Sequence, residues 1–314
     1  MNYLQQFTEL YPNLVYEMKV CEHNSSYHME GSVWTHTCMV YSHVQASHPD
    51  NKVLLLSAIL HDIGKVLAYR VDENNKTRFS GHEGYSALVA RSFLDDFNCT
   101  DQEIIDILTI ISLHGVNISQ LSDIPYLSMF RKADAAGRIS NKPLEDYAPR
   151  RFHKPHPKPT QTITILCGLP CSGKSTYALD FDNVISRDAF LMTHYATADE
   201  DYNTAYSRVH ADPTILADFN SAFDKHLQQA SKSKVDYIID MTMLSLSDRR
   251  SMMAKFPKAK FNCVVFLPSL TVIEARNKAR KGKSLDDSIY DKMSAKFVMP
   301  TKAEGFESIQ YILR

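Results

Sequence analysis

The sequence predicts two domains of different class, an all-α helical bundle followed by an α/β domain built on a parallel sheet. Three observations carry this. The 314 residues suit two domains at roughly 100–200 residues each. Before residue 147 the segments read as helices and strand-like runs are scarce, whereas from residue 162 short apolar runs alternate with helical stretches, the pattern of parallel strands with crossover helices. Between them, residues 148–161 carry four prolines and several cations with little to bury, which reads as an extended linker. The expected division is 1–147, 148–161 and 162–314.

Composition narrows the class. The apolar share of 44% is enough for ordinary cores, and the net charge of −1 does not mark the whole chain as a nucleic-acid binder. The halves differ in charge. Residues 1–147 hold 18 acidic and 11 basic residues, and residues 148–314 hold 18 and 24, so the second half is the better candidate for a polyanionic substrate, unless the charge is only a solvated face. The opening MNYLQQFTEL lacks the basic and apolar regions of a signal peptide. No run approaches the ~18 apolar residues of a membrane span. The six cysteines are scattered, and Cys167 and Cys171 flank a glycine-rich loop rather than form a zinc knuckle, so reduced thiols in the cytoplasm are expected.

In the first domain, helices are expected over 32–47, 51–66 (which contains the apolar run VLLLSAIL), 83–97, 101–114 and 126–139. His36, the pair His61-Asp62, His82, His114 and Asp134 fall on these helices or at their ends. Imidazoles and carboxylates directed inward from helices suit one or two divalent ions: Mn, Fe, Co, Ni, Zn or Mg. Such ions lower the pKa of bound water. Lys65, one turn after Asp62, either holds a substrate phosphate or is a surface lysine at a helix end. His28 either touches substrate or caps a helix. Arg138, one turn after Asp134, either binds phosphate or forms a structural ion pair. His23, His43 and His48 are expected as ordinary surface or packing residues.

The order of these residues, with His61-Asp-Ile-Gly-Lys65 at the centre, resembles the HD phosphohydrolase superfamily over about residues 20–145. By that resemblance His36, His61, Asp62 and Asp134 are the ligand quartet, His82 and His114 add a second ion, and Asp62 bridges both. The stretch HMEGSVWTHT is also similar to the HD domain appended to bacterial tRNA nucleotidyltransferases. The resemblance implies metal-dependent hydrolysis of phosphomonoesters or phosphodiesters, with Asp62 and Lys65 in the reaction.

The second domain opens with TITILC, a strand candidate, followed by Gly168-Leu-Pro-Cys-Ser-Gly-Lys-Ser175 and a helical Thr176-Tyr-Ala-Leu. Strand, G-x-x-x-x-G-K-[ST], helix is the context that a P-loop requires. Backbone N–H groups over Gly168, Cys171, Ser172, Gly173 and Thr176 would cradle the phosphates of ATP or another NTP. Lys174 would neutralise β/γ oxygens and Ser175 would ligate Mg²⁺. Further strands are expected at DNVIS, VDYIID, FNCVVFL and SIQYIL, with helices over 213–231 and 270–281. Asp188, after Arg187 at the end of the second strand, either deprotonates an acceptor hydroxyl or caps the next helix. Asp240 ends VDYIID in a position suited to Mg²⁺ or acceptor contacts. The cation-rich 274–284, with Arg276 and Arg280, is either a phosphate-clamping lid or a solvated helix.

These features resemble the phage-type 5′-hydroxyl polynucleotide kinases over about 162–305. The resemblance implies Asp188 as general base, Arg187, Asp240 and Arg276 near substrate, and Arg280 as the clamping arginine, with Arg249-Arg250 a loose match to a paired-arginine element. Two departures stand out: Leu191 occupies a position where the family commonly has an acceptor-gripping arginine, and Asp240 is followed by Met-Thr. The whole is similar to bacterial and phage fusions of an HD domain with a polynucleotide kinase, an all-α HD bundle ahead of an α/β P-loop kinase. Such enzymes heal nucleic-acid ends, RNA favoured, ahead of a separate ligase. Two other classes compete. One is a metabolic nucleotide phosphohydrolase joined to a small-molecule kinase. The other is a nucleotide-gated scaffold with a degenerate HD site, which the presence of all six candidate ligands disfavours.

Overall fold

The computed structural model describes residues 2–23, 28–74, 76–116, 124–140, 158–280 and 283–314. The linker expected at 148–161 lies outside the described residues as far as 157. The chain forms two compact units, Met1–Arg151 with Asp291–Met299, and Phe152–Tyr290 with Pro300–Arg314.

The first unit is helical: α1 (Tyr3–Leu10), α2 (Pro12–Val20), α3 (Val33–Ser47), α4 (Lys52–Leu60), α5 (Lys65–Ala68), α6 (His82–Phe93), α7 (Asp101–Leu113) and α8 (Leu127–Ala136). A small antiparallel hairpin, β1 (Arg70–Val71) and β2 (Thr77–Arg78), separates α5 from α6. Local chemistry starts the helices where the chain needs them. Asn2, Ser32 and Asn51 each accept a first-turn N–H of α1, α3 and α4, and Thr100 with Glu103 forms a capping box on α7. α4 is buried from Val53 to Leu60 because it runs through the centre of the bundle, against α3, α7 and α8.

The sequence suggests one helix over 51–66, but the structure interrupts it with a turn over 61–64. The cause is close packing at Gly64. A Cβ there would fall 2.5 Å from the Ser86 nitrogen and 2.6 Å from the His82 oxygen, so only glycine lets the turn lie against the start of α6. The Gly64 N–H is taken up by Ser86 Oγ at 2.9 Å. Asp291–Met299 closes this unit near the same place. The Met299 N–H donates to Ser112 Oγ at 3.2 Å.

The second unit is α/β. In chain order it runs β3 (Gln161–Cys167), α9 (Lys174–Ala178), β4 (Val184–Ser186), α10 (Arg187–His194), α11 (Tyr202–Ala211), α12 (Pro213–Lys232), β5 (Tyr237–Asp240), α13 (Leu246–Lys255), β6 (Ala259–Phe266), α14 (Leu270–Lys278), α15 (Asp287–Ser294, whose last residues belong to the first unit) and β7 (Phe306–Ile312). The five strands are parallel in the order β4-β5-β3-β6-β7. From β3 the chain crosses to the outer strand β4, returns to fill β5 between them, and then adds β6 and β7 on the other side. The carboxyl end of β3 is therefore the switch point, where open sheets of this type bind ligands. Register places Ser186 beside Asp240 at that end of the sheet.

Candidate metal centre and candidate kinase site

The metal centre is assembled from helix ends. His36 stands on α3, His61 and Asp62 lie in the turn after α4, His82 opens α6, His114 follows α7 and Asp134 lies on α8. All are buried except His82, which is partly so. Two trios converge, His36 with His61 and Asp134, and Asp62 with His82 and His114, the donor atoms of each within 4.8 Å of one another. Asp62 joins them. Its Oδ2 lies 3.3 Å from His61 Nε2 and 3.6 Å from His36 Nε2. Its Oδ1 lies 3.3 Å from His82 Nε2 and 3.8 Å from His114 Nε2. Asp134 Oδ1 is 3.0 Å from His36 Nε2. Ligands held at roughly 2.0–2.2 Å from an ion stand about 3–3.5 Å apart, close to these separations.

The ring tautomers decide what the cluster can hold. Each imidazole directs Nδ1 to a backbone carbonyl: His36 to Gly137 at 3.0 Å, His61 to Ala58 at 3.1 Å, His82 to Phe79 at 2.9 Å and His114 to Ile111 at 2.7 Å. A carbonyl accepts only, so Nδ1 carries the proton and Nε2 presents its lone pair to the cluster, as a metal ligand does. Both Asp62 oxygens are buried without a well-aligned hydrogen bond, and the Lys65 ammonium, 2.7 Å from Oδ2, is a single positive charge against the two carboxylates. Four lone pairs and two carboxylates facing one another repel unless cations lie between them. This donor set fits divalent metal, with Asp62 in one trio and within 3.3–3.6 Å of two members of the other.

The carboxylates dominate the local field. Burial opposes a charge on His36, yet its bonds to Asp134 and Glu30 raise it to about 9, the same pull toward positive charge that a bound metal ion would answer. Burial would raise Asp62, but the charges of His61 and Lys65 outweigh it and hold the carboxyl well below its usual range. Burial lowers His114 to about 4.

Around the cluster, Lys65 is buried rather than at the surface, with Nζ 2.7 Å from Asp62 Oδ2. Arg138 pairs with Asp134. His28 does not cap α3, since Ser32 does; its Nδ1 meets Glu30 Oε1 at 2.7 Å. Two residues escaped sequence reasoning. Glu30 lies 3.2 Å from His36 Nδ1 and accepts the Ile139 N–H, so it orients a candidate metal ligand. His23 is buried, its ring against His28, with Nε2 3.1 Å from Lys65 Nζ. His23, His28 and Glu30 also cluster as metal donors do. However, the Lys65 ammonium donates to His23 Nε2, which leaves the proton on Nδ1, the atom facing Glu30. A protonated nitrogen is no ligand, so this trio supports the centre rather than holding an ion of its own.

In the second unit the loop after β3 needs unusual backbone. Gly173 has φ +108°, and at Gly168 a Cβ would meet the Phe266 carbonyl oxygen at 2.9 Å. The Lys174 ammonium is buried within the loop, donating to the carbonyls of Gly168 at 2.9 Å and Leu169 at 2.6 Å. Burial lowers it to about 8, against the attraction of Asp240. Ser172 is buried below the loop, and Ser175 and Thr176 are exposed on the first turn of α9. A loop of this shape, with its ammonium inside, fits the phosphates and Mg²⁺ of an NTP.

Asp188 is in the first turn of α10, and Ser186 is the cap, so the capping role falls away from Asp188. Its carboxylate accepts from Tyr202 OH at 2.9 Å and pairs with Lys283 at 2.5 Å, a lysine the sequence reading did not single out. Arg187 lies on the rings of Phe219 and Phe223 and donates to Asn220 Oδ1 at 2.5 Å. Arg276 and Arg280 both reach Cys171 at the loop's tip, the first through its carbonyl at 3.3 Å and the second through its sulfur at 3.6 Å. Arg249 is fully buried in a two-pronged pair with Glu304, at 2.7 and 2.8 Å.

Residues 33–138 match the HD domain family and residues 163–300 match an AAA domain family. The chain thus joins a helical domain that matches the HD family to an α/β domain that matches the AAA family and carries a P-loop. Among solved structures, it is similar to a chain of the Pnkp1/Rnl/Hen1 complex, with 23% identity and a TM-score of 0.26 over 37% of this chain and 37% of that one. It is also similar to Kti12 of Chaetomium thermophilum with ADP-AlF3, with 12% identity and a TM-score of 0.33 over 48% and 88% of the two chains. A sugar kinase from Janibacter sp. matches with 16% identity and a TM-score of 0.30 over 48% and 86%. The chain thus spans 37% of the Pnkp1/Rnl/Hen1 chain that it matches. No helix among the described residues is long and apolar enough to cross a membrane.

Proposed function

We propose that this protein heals broken nucleic-acid ends, RNA above all. The kinase domain phosphorylates a 5′-OH end, and the HD domain removes a 2′,3′-cyclic, 2′- or 3′-phosphate. One observation carries the reading: a single chain holds a cluster of metal donors joined by Asp62 and a P-loop whose Lys174 feels the charge of Asp188, a carboxylate held by Tyr202 and Lys283. The two chemistries convert the ends that ribonucleases leave into the ends that a ligase joins.

At the HD site one water adds to the cyclic phosphodiester. A P–O bond to ribose opens, and the freed ribose oxygen takes the proton. A second water then releases inorganic phosphate and leaves a 3′-OH. Bound divalent ions supply Lewis acidity and lower the pKa of water. Lys65 and Arg138 bear positive charge toward the phosphoryl oxygens, and Glu30 holds His36 in its ligand tautomer. At the kinase site Lys174 and the loop N–H groups hold the NTP phosphates. Asp188 accepts the proton of the attacking 5′-OH, and Arg280 with Arg276 neutralises charge on the transferring phosphoryl group. Arg187, packed on Phe219 and Phe223, is set to face the acceptor, and Asp240 to face Mg²⁺. The six cysteines are free thiols, which supports a reducing cytoplasmic setting, with a separate ligase acting downstream.

The test is an assay on an RNA bearing a 5′-OH and a 2′,3′-cyclic phosphate, reading both ends. Phosphate gained at the 5′ end and lost at the 3′ end supports the proposal. Phosphorylation of nucleosides or sugars alone, with both ends of RNA and DNA untouched, would refute it.

A further inference from the structure

A hollow of about 370 Å³ opens beside the HD cluster, with Lys65, His23, His28, Phe79 and His82 among its walls. That volume lies within the roughly 300–1,000 Å³ usual for small-ligand sites. We propose that it seats the terminal nucleoside of the substrate, with the phosphoryl group on Lys65 and the base against Phe79, and that His23 is the positioning residue for Lys65. This rests on the end-healing reading and names the part of the substrate that the HD site grips.

The two walls are chemically different. On one side, the Lys65 ammonium stands 2.7 Å from Asp62 Oδ2, so a phosphoryl group drawn to the cluster also meets Lys65. Next to it, the half-buried Phe79 ring lies under that ammonium, its centroid 5.5 Å away. Phe79 is held firmly. Its carbonyl accepts the Nδ1–H of His82 at 2.9 Å, and its ring meets His23 and Tyr69 edge to face. The residue that orients a candidate metal ligand therefore also lines the hollow with an aromatic ring at a fixed distance from the cluster. A nucleotide has the matching form, an anion joined through ribose to a flat ring. A simple sugar phosphate would leave the Phe79 face unused.

His23 completes the cationic wall. Its Nε2 accepts from Lys65 Nζ at 3.1 Å, so the ammonium is tethered between an imidazole and the Asp62 carboxylate.

The experiment uses the full chain loaded with Mn²⁺, assayed on adenosine and uridine 2′,3′-cyclic phosphates and on the 2′,3′-cyclic phosphate of 1-O-methylribose, which has no base. Stacking of a base on an aromatic ring is worth about 5- to 150-fold in affinity. Phe79→Ala is expected to raise KM for both nucleosides by a factor in that range and to leave the baseless substrate unchanged, while Phe79→Trp keeps wild-type KM. His23→Ala is expected to lower kcat by about tenfold or more. His23→Gln, which retains an acceptor, restores it, and His23→Ala adds no loss on a Lys65→Ala background. Metal content measured on each variant separates a lost subsite from a lost cluster. Equal turnover of baseless and nucleoside substrates, or equal loss on both in Phe79→Ala, overturns the base subsite and leaves the end-healing reading standing. An additional loss from His23→Ala on the Lys65→Ala background overturns the positioning role. Failure on every ribose 2′,3′-cyclic, 2′- and 3′-phosphate, with turnover of p-nitrophenyl phosphate, overturns the end-healing reading of the HD site and this proposal with it.

Discussion

Arg249→Met separates a structural arginine from a catalytic one. Sequence resemblance loosely aligns Arg249 with a paired-arginine element of polynucleotide kinases, but in the folded chain the guanidinium is fully buried. It donates to both Glu304 oxygens at 2.7 and 2.8 Å and to the carbonyls of Met243 at 3.1 Å and Leu244 at 2.9 Å. Those carbonyls follow Thr242, whose own carbonyl accepts the Gly168 N–H of the phosphate loop at 3.0 Å. Removing the arginine leaves a buried carboxylate with the Thr301 N–H at 3.0 Å, and two carbonyls each short of a donor. Breaking a buried pair in this way costs about 3–5 kcal/mol. For a unit of roughly 150 residues that lowers Tm by about 10 °C. Calorimetry with and without saturating nucleotide identifies the second unit's transition as the one that nucleotide raises. Replacing both partners, Arg249→Met with Glu304→Leu, removes the stranded charge and is expected to recover most of the loss. An unchanged Tm in Arg249→Met would refute the structural role. So would a double variant that melts near wild type yet transfers no phosphate.

The two active centres are expected to fail separately: Lys174→Ala and Asp188→Ala abolish phosphoryl transfer and spare phosphate removal, and Asp62→Ala does the reverse. If folded Asp62→Ala also lost kinase activity, the independent-centre reading would fall. Glu30→Gln is expected to weaken metal binding by about 10–100-fold, as loss of an outer-shell partner does, measured by metal titration; unchanged affinity would mean that the Gly137 carbonyl alone orients His36. Lys174 sits near pKa 8 in the nucleotide-free loop, and phosphates on it raise that value. The bound state then holds more protons between the two values, so NTP affinity is expected to fall by about tenfold as pH rises from 7 to 9, with proton uptake near pH 8.5 in calorimetry across buffers. Affinity flat over that range would show that Lys174 is not the group titrating.

Much of the fold was legible because local patterns and global packing agree. Helices expected over 32–47 and 101–114 appear as Val33–Ser47 and Asp101–Leu113, each with a polar cap at its start. The strand runs of the second domain all appear in one parallel sheet. Less legible were α1, α2, α10, α11 and α13, short helices whose stability comes from the surfaces they cover rather than from a long periodic stripe. The break after Leu60 was also hidden. It is set by the approach of α6 to Gly64, a contact between residues distant in sequence.

Sequence alone specified the donors and the loop: His36, His61, Asp62, His82, His114 and Asp134 in order, and Gly168 through Ser175. These are chemical identities and local spacings, which a one-dimensional string preserves. Only the tertiary structure decided how they act. Backbone carbonyls from Gly137, Ala58, Phe79 and Ile111 choose the imidazole tautomers, and no motif encodes a carbonyl. Glu30, His23 and Lys283 acquire their roles from neighbours 6, 42 and 95 positions away. Arg249, which looked chemical in the sequence, became structural once folding enclosed it with Glu304, because burial determines whether a charge meets substrate or only its partner.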